Sequence, residues 1–350
     1  MNIRRLGRTG PDLSVVGFGG WAIGGPWQFG WGEVDDDESI AAIRRAVELG
    51  VNWVDTAAVY GLGRSEEVVG RALRSHRAGE EVFVFTKCGR RWEGRPEGLI
   101  GNDLRPQSIR EECELSLHRL GLERIDLYQV HWPDWTTGTL LEEAWGTMAE
   151  LVDEGKTRWI GVCNFDVEQL DRCEAVRHVD AVQPPLSLLA RGVLGTVVPW
   201  AAAHGAGVLS YSPLASGMLT GAYDRRRIAA LGEDDWRRAA PAYNEPLLSQ
   251  NLALVERLGE IAGRLGATLP ALAVAWVLAQ PGVTASIVGS RLPEHVAGWV
   301  AAADLVLDDQ ALREISEATT ATGAGSDMPP VPPPHIRPVP ESNLSQGALS

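Results

Sequence analysis

The chain has 350 residues, 45% of them hydrophobic, and a formal net charge of −14. That size suits one large domain or two ordinary ones. The acidic balance argues against a nucleic-acid partner, while a small anionic ligand needs only a local basic patch.

The N-terminus has no apolar signal core, and no uninterrupted apolar run reaches membrane-spanning length. A cytoplasmic protein with no membrane partner is expected. The four cysteines are Cys88, Cys113, Cys163 and Cys173. Their spacing matches no metal-site pattern, so no metal is expected, and a chain of this size needs no disulfide staples.

In chain order, Ile3–Arg5 and Ser14–Val16 flank Gly7, Thr9-Gly10-Pro11 and Asp12, which predicts a small hairpin. A repeating alternation follows. The predicted strands are Val15–Gly20, Val51–Thr56, Val82–Lys87, Ile125–His131, Arg158–Cys163, Ala181–Leu186, Gly207–Ser212 and Ala285–Gly289. The first helix has N-caps in Asp35-Asp36-Asp37, one face of Ile40, Ile43 and Val47, and a stop at Gly50. Another follows Pro106, with Ile109, Cys113, Leu117 and Leu120 on one face and Gly121 as its C-cap. Later helices are predicted near 140–154, 167–177, 193–205, 250–265 and 293–303. Leu269–Leu278 and Gln310–Ala318 read as extra C-terminal helices. Eight βα units in series most economically close into a (β/α)8 TIM barrel over residues 1–321, with a doubly wound open sheet as the rival. Residues 322–350 turn to Gly, Ser and Pro, and read as a flexible or polyproline tail. His335-Ile336-Arg337 of that tail is within reach of a barrel mouth.

Gly17-Phe18-Gly19-Gly20-Trp21-Ala22 fits the G-x-G-x-x-A dinucleotide fingerprint, which requires a helix to open at once. Ile23-Gly24-Gly25-Pro26-Trp27 follows instead. A tight first strand and its exit loop is the better reading.

Three predicted strands end in ionisable groups. Val54 leads to Asp55, with Tyr60 in the loop beyond; Phe85 leads to Lys87; Val130 leads to His131. Parallel and adjacent, these strands would bring Asp55, Tyr60, Lys87 and His131 into one pocket. Singly, each has a plain structural reading: an ion pair, a core tyrosine, a structural histidine. Together they suit proton transfer to or from a carbonyl–alcohol oxygen. A phenol alone is a poor acid or base at neutral pH, and a nearby Lys87 ammonium is expected to lower its pKa. The site has no evident nucleophile and no metal cage. Its natural partner is hydride transfer from a nicotinamide cofactor. Trp21, Trp27, Trp31, Trp92, Trp132 and Trp135 also fall beyond strand ends. Either they cap a wide mouth, or Trp27, Trp31, Trp92, Trp132 and Trp135 line a pocket for a flat or cyclic substrate.

Asp55-Thr56-Ala57-Ala58-Val59-Tyr60-Gly61, Thr86-Lys87-Cys88-Gly89, the run Asp126–Asp134 ending in His131-Trp132-Pro133-Asp134, and Ile160–Phe165 resemble the aldo-keto reductase superfamily. The resemblance spans about Arg4 to Ala318. His131–Asp134 and Gly289-Ser290-Arg291 look more like the bacterial branch related to potassium-channel β subunits than the aldose-reductase branch. The resemblance implies a barrel binding NADP(H) without a Rossmann domain and acting on a small-molecule carbonyl substrate. It makes Tyr60 the general acid/base, Lys87 its tuning cation, Asp55 the anchor of Lys87, and His131 the group that orients the carbonyl.

By the same resemblance, Asn164 and Gln183 hold the nicotinamide carboxamide, with Cys163 where serine is commoner. Tyr211 stacks on the nicotinamide. Leu214, Ser216 and Gly217 surround the pyrophosphate, with Ser212 and Pro213 also at the cofactor. Ser290 and Arg291 meet the 2′-phosphate, a job that suits a guanidinium, with Gly289 also at the cofactor. Gly20, Trp21 and Asp55 lie close to the cofactor. Two positions depart from the family pattern: His295, where Gln or Arg is usual, and Trp299, in place of an adenine-reading Asn. Trp299 either stacks on adenine or points elsewhere.

Three functions remain open on sequence alone. The first is an NADPH-dependent reductase of a sugar, aromatic or cyclic carbonyl. The second is a regulatory, cofactor-holding barrel with slow turnover, like a channel β subunit. The third is an aldolase-like barrel with Lys87 as Schiff-base lysine, disfavoured because a charged lysine is a poor amine nucleophile. The oligomeric state is left open as well.

Overall fold

Eight parallel strands close on themselves. In the computed structural model, which describes residues 1–74, 82–92, 100–233 and 235–325, they are Val16–Gly19, Trp53–Asp55, Phe83–Cys88, Ile125–Val130, Thr157–Cys163, Ala181–Gln183, Gly207–Ser210 and Ala285–Gly289. They are called barrel strands one to eight here. The eighth pairs with the first, from Ser286↔Val16 to Gly289↔Gly19, and this closes the ring. The open-sheet rival is therefore excluded.

The strands alternate between two cores, as a period of two requires. Trp53, Phe83, Phe85, Leu127, Ala181, Leu209, Ala285 and Ile287 fill the barrel interior, joined by Leu6 and Leu13 of the hairpin. Val16, Phe18, Val54, Val84, Tyr128, Val130, Ile160, Val162, Val182, Val208 and Val288 point outward against the helices. Gly17 faces inward, where a Cβ would lie 2.2 Å from the Trp53 indole. The first strand thus needs glycine to admit that ring. The hairpin of Ile3–Arg5 and Asp12–Ser14 closes the end of the barrel away from the strand C-termini.

The helices that follow the strands in turn are Asp36–Glu48, Arg64–Leu73, Pro106–Leu120, Leu141–Asp153, Val167–Val176, Val197–His204, Leu269–Leu278 and, after the eighth strand, Pro293–Val300. Arg64–Leu73 has no counterpart among the predicted helices. Its N-cap is Gly63 at φ 103°, with no side-chain cap, so it lacks the start signal that sequence reading relies on. Leu269–Leu278, read from sequence as an extra helix, is the repeat helix before strand eight. Ala271–Leu278 are all buried, because the helix is packed on every side. The added element is Leu247–Arg264, which packs on the C-terminal helix Asp309–Thr322. Gly20–Ile23 forms a 3-10 turn and no α-helix opens before Asp36, so the glycine fingerprint does not build a dinucleotide-binding helix.

The C-terminal helix ends at Gly323, φ 67°. Ala324 is fully buried, and both Nη atoms of Arg191 donate to its carbonyl at 3.3 Å. A Cβ on Gly325 would meet the Leu189 backbone at 2.8 Å. Packing therefore runs through Gly325, past the boundary expected at 321; the rest of the predicted tail, with His335-Ile336-Arg337, lies outside the described residues. A chain ending at Gly325 is expected to melt with the full-length protein, whereas one ending at Thr322 should melt about 2–4 °C lower. Thermal unfolding of both truncations checks this, and an unfolded 325-residue chain would place part of the core further on. Among the described residues no single helix is long and apolar enough to cross a membrane.

Candidate active site

The same alternation that fills the barrel also builds the site. On five strands, the inward position two residues beyond the last interior apolar side chain lies at or just past the strand's C-terminal end and is polar. Trp53 is followed by Asp55, Phe85 by Lys87, Leu127 by Gln129 and then His131, Ala181 by Gln183, and Leu209 by Tyr211. Cys163 ends strand five in the same way. A ring of polar groups thus caps an apolar plug at the face where barrel enzymes carry their chemistry.

Lys87 and Asp55 form its centre, with side chains 0% and 4% exposed, and Lys87 Nζ lies 2.5 Å from Asp55 Oδ1. Lys87 also donates to the Thr56 carbonyl at 2.9 Å. An ammonium so paired is a poor amine nucleophile, which weighs against a Schiff-base role. Asp55 Oδ2 accepts from Gln183 Nε2 at 2.8 Å and from Gln129 Nε2 at 3.2 Å. Lys87 Nζ stands 5.3 Å from the centre of the Tyr60 ring. His131 meets that ring edge-on, 5.6 Å between centroids. All four predicted catalytic side chains therefore converge.

Tyr60 is fixed by its turn. Gly61 follows at φ 63°, and a Cβ there would collide with the Gly24 carbonyl at 1.8 Å. Only glycine lets the Tyr60 turn seat on the exit loop of strand one.

Burial is the largest influence on both proton-carrying groups. Burial first, then the charges of Asp55 and Cys163, pushes the Tyr60 phenol well above its ordinary value. This reverses the lowering expected from Lys87: that cation is already engaged by Asp55, so the phenol meets a compensated pair. Burial, then the cations Lys87 and Arg90, holds the His131 imidazole well below its usual range. The pair at rest is a neutral phenol and a neutral imidazole. Burial also pushes the Cys163 thiol up to about 12, which leaves it unreactive.

The tryptophans split into three groups. Trp27 and Trp92 pack with Tyr60 against Ala57, Val59 and Ile100, Trp27 at 6.2 Å from the Tyr60 ring. Trp132 and Trp135 pair with each other edge-on at 6.2 Å. Trp31 belongs elsewhere. It meets Trp21 at 5.3 Å and Trp236 at 5.9 Å, and the Arg237 guanidinium lies 4.8 Å over its ring. The long loop after strand seven thus reaches the exit loop of strand one.

The aldo/keto reductase family pattern matches residues 15–320. The chain belongs to the aldo/keto reductase family. It is 36% identical to aldo-keto reductase YhdN of Bacillus subtilis over 335 residues, 94% of this chain and 97% of the relative. It is 34% identical over 330 residues to the NADH-specific methylglyoxal reductase of Escherichia coli, 89% of this chain and 98% of that one. The solved glycerol dehydrogenase AKR11B4 from Gluconobacter oxydans superposes with a TM-score of 0.83 at 36% identity, covering 95% and 98% of the two chains. As an aldo/keto reductase, the protein is an oxidoreductase of small-molecule carbonyl compounds that uses a nicotinamide cofactor.

The donor set on this chain fits such a cofactor. Asn164, at φ 64°, donates to the His131 carbonyl at 3.1 Å and accepts from the Tyr211 hydroxyl at 2.7 Å. Gln183 lies beside it, its Oε1 3.7 Å from Cys163 Sγ. Ser212, Ala215, Ser216 and Gly217 all have positive φ, a concentration of strained backbone typical of ligand clamps. Pro213 is buried and Leu214 half-buried beside them. Gly20 is buried and Trp21 half-buried on the facing loop. Gly289 ends strand eight against Gly19, and Ser290 Oγ donates to the Leu292 carbonyl at 2.9 Å. Arg291 is exposed and donates to the Trp31 carbonyl at 3.0 Å. His295 is exposed too. Trp299, by contrast, is 2% exposed within the helix–sheet core. It points inward and is no adenine platform; its bulk and apolarity favour the core.

Sequence reasoning missed Gln129, Trp236 and Arg237. Counting back two from His131 would have placed Gln129 inside the barrel. Nothing in the loop sequence marks Trp236 or Arg237 as partners of Trp31.

Proposed function

We propose that the protein is an NADPH-dependent reductase that converts an aldehyde or ketone to the alcohol, with Tyr60 as general acid. The observation that carries this reading is the buried Lys87–Asp55 pair set against Tyr60, with His131 on the same ring. The cofactor, when bound, supplies the hydride. Tyr60, kept protonated by its burial, gives its proton to the substrate oxygen. Neutral His131 orients that oxygen through a ring N–H. Lys87 stabilises the phenolate left behind, and Asp55 keeps Lys87 in place. Asn164 and Gln183 hold the carboxamide and Tyr211 the nicotinamide face. The loop from Ser212 to Gly217 takes the pyrophosphate. Trp27 and Trp92 favour flat or cyclic carbonyls by packing beside Tyr60. The test is NADPH oxidation against sugars, aromatic aldehydes, cyclic ketones and acetaldehyde. A profile that favours acetaldehyde would remove the aromatic pocket, and turnover with none would remove the enzyme reading in favour of a cofactor-holding barrel.

The phosphate preference rests on Ser290 and Arg291. Arg291 makes one hydrogen bond, to a loop carbonyl, and its exposed fork is suited to a 2′-phosphate. Arg291→Ala is expected to weaken NADPH binding about tenfold or more, as loss of a charge-assisted contact does, and to leave NADH nearly unchanged. Fluorescence titration with both cofactors measures it. Equal losses would take Arg291 out of phosphate recognition, and the NADH-specific relative in Escherichia coli makes that comparison pointed.

A further inference from the structure

We propose that Gln129 is a positioning residue that holds both the Asp55 carboxylate and the Gln183 amide in their working orientations. The proposal rests on the functional reading above and adds a residue to it.

Gln129 is fully buried. It stands opposite Lys87 in the pairing of strands three and four, so its side chain enters the barrel beside that cation. An ionised carboxylate only accepts hydrogen bonds. Both amides at Asp55 Oδ2 must therefore turn their nitrogens toward it, Gln183 at 2.8 Å and Gln129 at 3.2 Å. The oxygen of Gln129 then faces away from Asp55, and it accepts the second N–H of Gln183 at 3.1 Å. The three side chains close a ring.

Two consequences follow from that ring. Asp55 Oδ2 is held from two sides, which leaves Oδ1 aimed at Lys87. Gln183 spends both N–H bonds inside the ring, so it can offer an incoming amide only its oxygen. Gln129 thereby selects a donor, the NH2 of a carboxamide, at the Gln183 position. It touches neither substrate nor the reacting atoms. Such supporting hydrogen bonds orient the groups that do the chemistry, and their loss commonly costs tenfold or more.

Two variants test the proposal. Gln129→Leu keeps the volume and removes both amide functions. It is expected to lower kcat roughly tenfold and to raise the NADPH dissociation constant several-fold, with KM for the carbonyl little changed. Gln129→Glu keeps the shape. When protonated, its hydroxyl donates to Asp55 as the amide did. When ionised, it sets a second carboxylate against Asp55. The charged and titratable groups around that position are Asp55 on strand two, Tyr60 in the loop beyond it, Lys87 on strand three, His131 after strand four and Cys163 on strand five. The nearest is a carboxylate, so the introduced carboxyl stays protonated at low pH and ionises as pH rises.

Relative to the parent protein, the Gln129→Glu variant should match kcat and NADPH affinity at low pH. It should lose both as pH rises, whereas Gln129→Leu, which packs alike but cannot hydrogen-bond, should be defective at every pH, a contrast no simple packing role produces. The dissociation constant, followed by nicotinamide fluorescence, reads this without turnover. If Gln129→Leu fails to fold, the Glu variant decides alone. A pH-independent ratio for the Glu variant would overturn the proposal, whatever the Leu variant does. Parent protein without turnover on any carbonyl would sink the reductase reading, whereas normal parent turnover with a flat ratio would sink only the role of Gln129.

Discussion

Replacing Tyr60 by Phe is expected to cut kcat for carbonyl reduction by about 10²–10⁴-fold, the usual loss when a general acid is removed, while NADPH affinity stays nearly unchanged. The ring is retained, so its contacts with Trp27 and His131 survive, and only the proton is lost. The pH profile gives the second half of the test. Burial and Asp55 raise the phenol, so Tyr60 remains a donor across the neutral range. Reduction should therefore show no loss from Tyr60 ionisation below about pH 10. The lowered imidazole of His131 is neutral throughout the same range, so no inflection should appear near its ordinary value of about 6.5. The reverse reaction needs the phenolate and should quicken as pH rises. A Tyr60→Phe protein with parental kcat would take the tyrosine out of the chemistry. An inflection near pH 6.5 in the parent enzyme would show His131 titrating and would contradict the lowering by its burial and the nearby cations.

Much of this site is legible in the sequence because strand periodicity is legible. Asp55, Lys87 and His131 each follow a short apolar run, and one rule places all three at the same end of a parallel barrel. Tyr60 is harder to place, since it sits on a turn. The Gly61 contact with Gly24 fixes it, and no local pattern encodes a contact between two loops. The helix Arg64–Leu73 escaped for a related reason: its cap is a left-handed glycine that reads as plain turn. Leu269–Leu278 and Leu247–Arg264 exchanged roles because burial on every side, rather than an amphipathic stripe, marks the repeat helix here. The partners of Trp31 and Trp299 are set by contacts distant in sequence, which a local reading leaves open. One is drawn to Trp21, Trp236 and Arg237, the other into the core. Burial, which no local pattern around Tyr60 encodes, sets the direction of its shift, and the charge of Asp55 adds to it while engaging the Lys87 ammonium at 2.5 Å.

Replacing Lys87 by Met is expected to damage stability and chemistry together, and a second substitution separates the two. The ion pair is almost fully buried. Removing the cation leaves the Asp55 carboxylate without its counter-charge, which typically costs about 3–5 kcal/mol. The two amides on Oδ2 soften that loss without cancelling it, because they satisfy hydrogen bonding and carry no net charge. Asp55→Asn alone should also destabilise, by leaving the ammonium uncompensated. The double variant Asp55→Asn/Lys87→Met buries no net charge at the pair. It should recover most of the lost stability, so the two single effects will not add. Activity should not return with stability, since no cation then faces the phenolate that forms as Tyr60 gives up its proton. Thermal unfolding of the four proteins yields the coupling, and kcat for one good carbonyl substrate tracks the chemistry beside it. Recovery of both in the double variant would make the pair purely structural. Single variants as stable as the parent would mean that water, rather than protein, surrounds Asp55 and Lys87.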